Sequence, residues 1–398
     1  MTMASAPLPV IEFGLLPTPF HARLNALMRT HSWEEWGGFL SPLSIKCVER
    51  EYFAIRNAAS VFDLSPMCKY RISGPDAEQV LNRLVTRNVR KIKPGRVGYA
   101  LWCDEEGMLI ADGTIFRIGE SEFLLLSQER NYSWLLDTAW GYDVSIVDET
   151  ESLCGLALQG PTAFSVLKEA GLGQLSDMKP FDIRFPEQGL MISRTGFTGD
   201  LGYELFVRPE MALDLWDRLF AGGENWGITA IGAEALYLAR VEAGFLLPEM
   251  DFQPVHTVER VGRGRTPFEL GFGNLVHFDK GHFNGRRALL RHQAAGPRVR
   301  LVRLDIEGKD PAVESFVYVG KETKVGHITS AMWSPTLKRN IALAEIDARF
   351  GDPGFDGLWV EIDVEKEGRW LRREMKAKVV SEPFLKNPRS RKTPAGPF

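Results

Sequence analysis

One segment of the chain is echoed in another, and this echo constrains the fold more than any other feature of the sequence. Residues 73–81 read SGPDAEQVL and residues 159–167 read QGPTAFSVL, each after a short apolar run. In both copies the Gly-Pro pair ends a strand, and apolar residues then recur at helical spacing. Asp76 and Thr162 offer side-chain oxygens as N-caps for the helices that follow. The echo therefore predicts two related modules, each with a strand that runs into a helix.

The sequence between and after the two copies predicts an α+β fold. Alternating runs at 113–118 and 123–127 indicate strands joined by a tight turn. Helices are predicted at 211–221 and 233–243 from their apolar periodicity. The first of these helices is expected to bury a stripe formed by Leu213, Trp216 and Leu219. From about residue 298 onward, short β-rich runs separated by Gly, Pro and Asp indicate a small C-terminal barrel.

Composition and charge exclude several classes of protein. At 398 residues the chain exceeds the size at which one core keeps growing, so two or three cooperating domains are expected. Its 48 basic and 52 acidic side chains are too balanced for a nucleic-acid or anionic membrane partner. No run approaches about 18 apolar residues, and the amino terminus lacks the basic region of a signal peptide, which predicts a cytoplasmic protein. Scattered cysteines and histidines without C-x-x-C or H-E-x-x-H spacing predict no metal site.

Two carboxylates stand in apolar surroundings and are candidates for chemistry. Asp112 interrupts the apolar strand of YALWCDEEGMLIADGTI at 99–115, where burial requires a partner or a polar cleft. A structural turn or ion pair and a catalytic role both fit this position. Glu204 ends the glycine-rich segment RTGFTGDLGYE at 194–204, which lacks the context of a dinucleotide site or a P-loop. Such a turn lets the backbone approach a flat heterocycle while the carboxylate accepts two neighbouring N–H groups.

Two further blocks have a structural and a functional interpretation. Arg240 and Glu242 interrupt the apolar helix ARVEAGF at 239–245. Pairing of Arg240 with an acid is one interpretation, and ligand binding is the other. The segment GHITSAMWSPTLKRNIALA at 326–344 contains a Ser-Pro-Thr turn between strands, which taken alone indicates only a turn.

Taken together and in this order, these blocks resemble the glycine-cleavage T-protein family of folate-dependent one-carbon transferases. The resemblance also includes FDLSPM at 62–67 and KGHFNGRRAL at 280–289. It implies a three-domain cloverleaf in which two related α+β folate-binding modules and a C-terminal β-barrel surround tetrahydrofolate. The implied division is an N-terminal extension at 1–45, a folate-binding T-protein-like region at 46–290, a barrel domain at 298–385 and a tail at 386–398.

The resemblance also implies roles for individual residues. Asp112 matches the family's catalytic acid, and Glu204 and Arg240 resemble the pair that grips the pterin. The other matches fall at positions that line the cofactor, namely Tyr99, Met67, Phe197, Leu126 and Gln128. Phe197 stands where many members have tyrosine, which keeps a stacking face but removes a hydroxyl.

Departures from the glycine-cleavage enzyme favour the demethylase branch of the family. Pro66 stands where a histidine is usual, and Asn274 replaces a tryptophan. The segment HSWEEWGGFL adds aromatic rings suited to a methylated donor, which makes Trp33 and Trp36 candidate substrate residues. His256 is a weak candidate acid for the leaving group. The sequence thus predicts transfer of a methyl group from an N-, O- or S-methylated small molecule to tetrahydrofolate, giving 5-methyltetrahydrofolate.

Two alternatives remain open at this point. An aminomethyltransferase of a glycine-cleavage-type system acts on a lipoyl carrier and gives 5,10-methylenetetrahydrofolate. A non-catalytic folate-binding maturation factor for iron-sulfur proteins shares the fold, but that branch carries a cysteine in the segment that here reads KGHFNGRR at 280–287. The donor and the oligomeric state stay open as well, because family-variable loops form the donor pocket.

Overall fold

The computed structural model describes residues 14–260, 262–320 and 322–393. Residues 1–13 of the expected N-terminal extension and residues 394–398 of the expected tail lie outside the described residues. The α-helices are α1 His21–Leu27, α2 Val48–Asn57, α3 Ala77–Leu84, α4 Tyr132–Thr138, α5 Ala163–Leu167, α6 Ala212–Gly223, α7 Ala233–Ala243 and α8 Arg286–Ala295.

Among the described residues, the strands form four sheets. Before residue 298 they are β1 Leu16–Pro17, β2 Ser32–Trp36, β3 Phe39–Ser44, β4 Ala59–Asp63, β5 Cys68–Ser73, β6 Arg96–Cys103, β7 Leu109–Arg117, β8 Glu122–Ser127, β9 Ser145–Asp148, β10 Cys154–Gln159, β11 Ile183–Glu187, β12 Leu190–Ser193, β13 Gly202–Val207 and β14 Ile228–Ala230. After it they are β15 Val299–Ile306, β16 Phe316–Val319, β17 Thr323–Ser334, β18 Arg339–Asp347, β19 Leu358–Lys366 and β20 Arg369–Val380.

The two segments of the sequence echo lead into modules of the same topology. In the first module β5 runs into α3, and the meander β6-β7-β8 returns to pair β8 with β5. In the second module β10 runs into α5, and the meander β11-β12-β13 returns to pair β13 with β10. Both strand-to-helix corners turn at a glycine of positive φ, +128° at Gly74 and +123° at Gly160. Only glycine adopts this backbone without strain, so the shared Gly-Pro marks the same corner twice.

The N-caps predicted from the echo are wrong. Neither Asp76 nor Thr162 makes a side-chain hydrogen bond to the helix that follows it. The Asp76 carboxylate accepts from the backbone N–H of Asp143 at 2.9 Å, and the Thr162 hydroxyl donates to the carbonyl of Trp226 at 2.9 Å. Both side chains therefore link the corner to a neighbouring loop instead of capping the helix.

The helices bury most of the positions that their periodicity predicts. In α6, Trp216 and Leu219 are buried in the core of the second module. Leu213 is 38% exposed, so its predicted place in the buried stripe is wrong. The buried face of α6 instead includes Ala212 and Leu215, since it is rotated by about one residue. Within the described ranges, no helix combines the length and the apolar character needed to span a membrane.

The described part of the N-terminal extension packs on the second module. Strands β1, β3 and β2 form a small sheet, with β2 and β3 as an antiparallel hairpin. Phe20 of the preceding loop and Leu24 of α1 are fully buried with Trp216, whose ring centroid lies 6.0 Å from that of Phe20. The extension thus completes a core that the second module does not close by itself.

The last six strands close into a barrel in the order β15-β18-β17-β16-β19-β20. Alternate side chains of β15, Val302, Leu304 and Ile306, point into its core, as the period of two along a strand requires. The α+β class and the C-terminal barrel predicted from the sequence are confirmed.

Candidate active site

The sheets of the two modules face each other, and their facing sides carry the candidate residues. At one end the contact is apolar, where the rings of Phe116 and Phe206 meet edge to face with centroids 5.8 Å apart. The buried side chains of this inter-sheet core are Val97, Phe116, Leu124, Leu126, Ile183, Met191 and Phe206. Residues two or four apart on a strand share a face, so Asp112 lies on the face of Phe116 and Glu204 on the face of Phe206. The two carboxylates therefore lie on the facing sides of the two sheets.

Asp112 on β7 is held by a tyrosine of the neighbouring strand β6. The Tyr99 hydroxyl donates to Asp112 Oδ2 at 2.6 Å. Burial raises the pKa of Asp112 to about 6, although the hydrogen bond from Tyr99 opposes this shift. Burial and the nearby carboxylate raise the pKa of Tyr99 well above its usual value, so the phenol stays a donor. The partner is a phenol and not a cation, and a carboxyl that titrates near neutral pH is suited to acid–base chemistry.

Glu204 lies in a row of side chains across the sheet of the second module. Its register partners are Ser193 on β12 and Ala157 on β10, and Ala157 in turn pairs with Phe62 on β4. Thr195 donates to Glu204 Oε2 at 2.6 Å and Ser193 donates to the same oxygen at 3.5 Å. Burial raises the pKa of Glu204, and these two hydrogen bonds oppose the shift. Both donors reach one oxygen, which leaves the other oxygen to accept from a bound ligand.

The glycine-rich turn before Glu204 is built around a buried glutamine. Gln159, the last residue of β10, donates to the carbonyl of Thr195 at 3.2 Å and accepts from the Thr198 hydroxyl at 3.1 Å. A Cβ at Gly196 or Gly202 would approach the Gln159 side chain within 2.0 Å or 2.4 Å. Glycine at these positions is therefore required for the glutamine to fit inside the turn.

One apolar cluster connects the surroundings of the two carboxylates. Trp36 of the N-terminal hairpin stacks on Phe62 with ring centroids 6.0 Å apart. Tyr99 meets Phe272 at 5.7 Å, and Phe197 from the glycine-rich turn packs in the same cluster. Tyr99, Phe197 and Trp36 are each partly exposed. Residues predicted from three separate segments thus come together in one apolar cluster.

Arg240, which the resemblance implied as part of the pterin grip, is enclosed among protein groups in the structure. Its guanidinium is 1% exposed and forms an ion pair with Asp251. It also donates to Ser330 Oγ of barrel strand β17 at 2.8 Å and to the carbonyl of Phe245 at 3.1 Å. The structure therefore favours the other interpretation, in which Arg240 pairs with an acid, because the side chain is enclosed between α7 and the barrel.

Met67 ends a loop that joins the two sheets, and a buried lysine organises that loop. Lys69 is fully buried and donates from Nζ to the carbonyls of Ser65 at 2.9 Å and Met67 at 2.7 Å. Burial lowers the pKa of Lys69 to about 8, and the charge of Asp63 opposes this shift. The Asp63 carboxylate accepts from the Ser65 N–H at 2.9 Å and from the Thr18 hydroxyl at 2.5 Å. Met67 itself packs, partly buried, against the inter-sheet core.

The remaining predicted site residues lie in four different places. Leu126 was predicted to line the cofactor. Its side chain is fully buried in the inter-sheet core and has no exposed surface to do so. Gln128 is partly exposed and follows β8, where its carbonyl faces the thiol of Cys68. Trp33 packs on His21 with ring centroids 4.9 Å apart and belongs to the core of the second module, unlike Trp36. His256 is exposed in a short 3-10 turn.

Sequence reasoning missed two residues that shape the site, Gln159 and Arg56, and it singled out Glu242 without giving it a partner. Gln159 belongs to the echo, but a single glutamine at the end of a strand does not indicate which residues it will contact. Arg56 and Glu242 form a buried ion pair of 2.7 Å, and Arg56 also donates to the Thr198 carbonyl in the glycine-rich turn at 2.8 Å. A charged residue inside an apolar helix could have predicted this ion pair, because a buried charge requires a partner.

Comparisons with known proteins agree with this architecture. Two family models match, the GCVT N-terminal domain over residues 19–280 and the glycine cleavage T-protein C-terminal barrel domain over residues 300–386. Aminomethyltransferase from Streptomyces coelicolor is 33% identical, with 85% of this chain and 93% of that protein covered. Aminomethyltransferase from Bacillus subtilis is 31% identical, with 88% and 94% covered. The crystal structure of glycine cleavage system aminomethyltransferase T from Bartonella henselae matches with a TM-score of 0.81 at 24% identity, with 94% of this chain and 98% of that chain covered.

The fold and these matches define a tetrahydrofolate-dependent one-carbon transferase. More specifically, the chain belongs to the glycine-cleavage T-protein family. The predicted transfer of a methyl group from a small-molecule donor is contradicted, because relatives that match over most of their length are named aminomethyltransferases. The demethylase prediction relied on loop substitutions such as Pro66 and Asn274, and these leave the carboxylates and the glycine-rich turn in place.

Proposed function

We propose that the protein is an aminomethyltransferase that passes a one-carbon unit from an aminomethyl carrier to tetrahydrofolate and forms 5,10-methylenetetrahydrofolate. The observation that carries this proposal is the placement of Asp112 and Glu204 on facing sheets beside one aromatic cluster. The names of the relatives support the aminomethyl donor. The donor is then a carrier protein with a lipoyl arm and not a free small molecule.

The residues present fit a bound pterin. Glu204 has one carboxylate oxygen occupied by Thr195 and Ser193 and one that is free to accept from neighbouring N–H groups of a ring. Phe197 stacks on Phe245 with centroids 5.5 Å apart and an interplanar angle of 18°, which continues an aromatic surface next to the turn. We propose that Glu204, Phe197, Tyr99 and Met67 bind the folate, with Gln128 at the edge of the site.

Tetrahydrofolate, when bound, supplies the two nitrogen atoms that receive the carbon. The transfer joins this carbon to both nitrogens and releases ammonia and a free carrier thiol, so protons must move near the acceptor nitrogens. Asp112 is the group placed to hold or deliver such a proton, because burial raises its pKa to about 6. Tyr99 fixes its orientation through the 2.6 Å hydrogen bond. Trp36 of the N-terminal hairpin covers the neighbouring apolar surface and excludes water.

The division of the chain into units is part of the same proposal. Residues 46–290 carry the folate site, residues 298–385 form the barrel domain, and residues 1–45 form an extension. The inter-sheet core between the two modules supports the treatment of 46–290 as one functional region.

The test is folate-dependent release of ammonia from a carrier. A lipoyl carrier protein charged with an aminomethyl group is mixed with the enzyme, with and without tetrahydrofolate. We expect ammonia release to rise at least about 100-fold with tetrahydrofolate and the wild-type protein, and to stay near background with Asp112→Asn. Equal release with and without folate, or no release from the wild-type protein, would contradict the proposal.

A further inference from the structure

The segment that follows the barrel returns to the folate side of the molecule and contacts the glycine-rich turn. We call residues 386–393 the C-terminal strap. The sequence predicted only a tail at 386–398. In the structure it contains a 3-10 turn at Pro388–Ser390, and the Leu385 N–H just before it donates to the Glu242 carbonyl at 2.8 Å. The strap is therefore anchored at its start and continues over the second module.

The strap holds one end of the glycine-rich turn through Asp200. Arg389 donates from Nε to Asp200 Oδ1 at 2.8 Å and from a terminal nitrogen to Oδ2 at 3.0 Å. Asn387 donates to Asp200 Oδ2 at 2.6 Å. The Asp200 side chain is fully buried, whereas that of Arg389 is 31% exposed. Two-point binding of a carboxylate by an arginine fixes direction as well as distance.

The strap holds the other end of the same turn through Arg194. This arginine is 3% exposed and donates to the Thr393 hydroxyl at 2.8 Å and to the carbonyl of Lys392. Its partner at the base of the turn is the carbonyl of Met178. Burial lowers the pKa of Arg194 from its usual value. Five residues lie between Arg194 and Asp200, and Phe197 is the middle one.

We infer that Arg389 is a positioning residue for folate binding, which acts through Asp200 to hold the glycine-rich turn in its ligand-ready conformation. The turn contains Gly196, Gly199 and Gly202, and glycine loses more conformational freedom on ordering than any other residue. If the turn is already ordered before the ligand binds, binding does not have to offset the conformational entropy lost on ordering it. The strap therefore raises affinity without contacting the reacting atoms. This inference rests on the proposed folate site at Phe197 and Glu204.

The experiment measures tetrahydrofolate binding by calorimetry on full-length variants. Arg389→Ala is expected to raise the Kd for tetrahydrofolate about tenfold, with kcat at saturating folate changed less than about threefold, and to lower the melting temperature, because the buried Asp200 carboxylate loses its counter-charge. Arg389→Lys keeps the charge but loses the two-point contact with Asp200, so it should recover only part of the affinity. Arg391→Ala removes a positive charge from an exposed side chain of the same strap and should bind as wild type.

Two further variants keep the outcome decisive. Asn387→Ala removes one hydrogen bond to Asp200 without changing charge and should raise the Kd by about threefold, which tests the strap even when Arg389→Ala folds poorly. Glu204→Ala tests the folate site itself. Loss of affinity in Glu204→Ala together with wild-type affinity in Arg389→Ala and Asn387→Ala would overturn the strap proposal alone. Unchanged affinity in Glu204→Ala would instead overturn the site on which it rests.

Discussion

At the residue scale, the candidate site depends on two buried carboxylates whose partners differ. Asp112 receives one phenol hydrogen bond and has a pKa of about 6. Glu204 receives two hydroxyl hydrogen bonds on one oxygen. The first is suited to proton transfer near neutral pH, and the second is suited to gripping a ligand. Each role predicts a separate effect of mutation.

Glu204→Ala should weaken folate binding and leave the fold intact. A charge-assisted hydrogen bond contributes about 1.5 to 3 kcal/mol, so the Kd for tetrahydrofolate should rise at least about tenfold. Wild-type protein should also melt at a higher temperature with tetrahydrofolate present, and the variant should lose most of that shift. A well-folded Glu204→Ala protein with wild-type affinity would show that the pterin binds elsewhere.

Asp112→Asn should change how stability depends on pH. An unfolded aspartate titrates at about 3.8, whereas folded Asp112 titrates at about 6. Between these pH values the folded state binds more protons, so the carboxyl contributes stability that is lost as pH rises through about 6. Denaturant titrations should show the variant gaining stability relative to wild type from about pH 4 to about pH 7. A difference that stays constant over this range would argue against a buried, titrating Asp112.

At the element scale, the site depends on strands that approach closely at glycines. Gly113 follows Asp112 on β7, and a Cβ there would lie 2.1 Å from the backbone oxygen of Leu126 on β8. Gly119, at the turn after the same strand, has 3.6 Å of room to the Glu122 side chain. The two glycines thus differ in whether the neighbouring strand can tolerate a methyl group.

Gly113→Ala and Gly119→Ala form a matched pair that tests this packing. Because a backbone atom blocks the Cβ, Gly113→Ala should lower the free energy of unfolding by about 1–3 kcal/mol or more and reduce turnover. Gly119→Ala should change stability by less than about 0.5 kcal/mol. Denaturant unfolding of both variants measures the contrast, and equal stabilities would refute the close approach of β7 and β8.

Sequence reasoning captured the elements better than the contacts between them. The echo at Gly74 and Gly160 predicted two related modules because the same backbone corner demands glycine in both. Asp112 and Glu204 stood out because a carboxylate in an apolar run requires a partner. The partner of Arg240 could not be predicted, since Asp251 lies in the irregular loop after α7, whose path the sequence pattern does not fix. Methyl transfer was predicted from substitutions such as Pro66, which say little about a donor that binds at the surface of the site.

At the scale of the whole molecule, buried polar contacts attach the barrel to the folate-binding region. Arg240 and Asp251 form one ion pair, and Asp251 also accepts from Thr329 and Ser330 of β17 at 2.7 Å each. Ser334, at the end of the same strand, donates to Glu242 of α7. The Ser-Pro-Thr segment is therefore a docking point, and the sequence alone indicated only a turn.

Asp251→Ala should destabilise the protein strongly because it leaves the buried Arg240 guanidinium without its counter-charge. Removing one member of a buried ion pair costs about 3–5 kcal/mol. Asp352→Ala breaks the exposed pair with Arg300 and should cost less than about 1 kcal/mol. The two variants are compared by denaturant unfolding, where similar losses would mean that the Arg240–Asp251 pair does not hold the barrel in place.

Transfer of a one-carbon unit from an aminomethyl group to tetrahydrofolate can be followed by the mass of the folate product. The carrier is charged with an aminomethyl group that bears two deuterium atoms on its carbon, and the folate formed by the wild-type protein is analysed by mass spectrometry. We expect 5,10-methylenetetrahydrofolate that carries both deuterium atoms, in an amount equal to the ammonia released. A second assay replaces the carrier with a small-molecule donor that bears a trideuteromethyl group. Unlabelled folate in the first assay, together with labelled 5-methyltetrahydrofolate in the second, would contradict aminomethyl transfer.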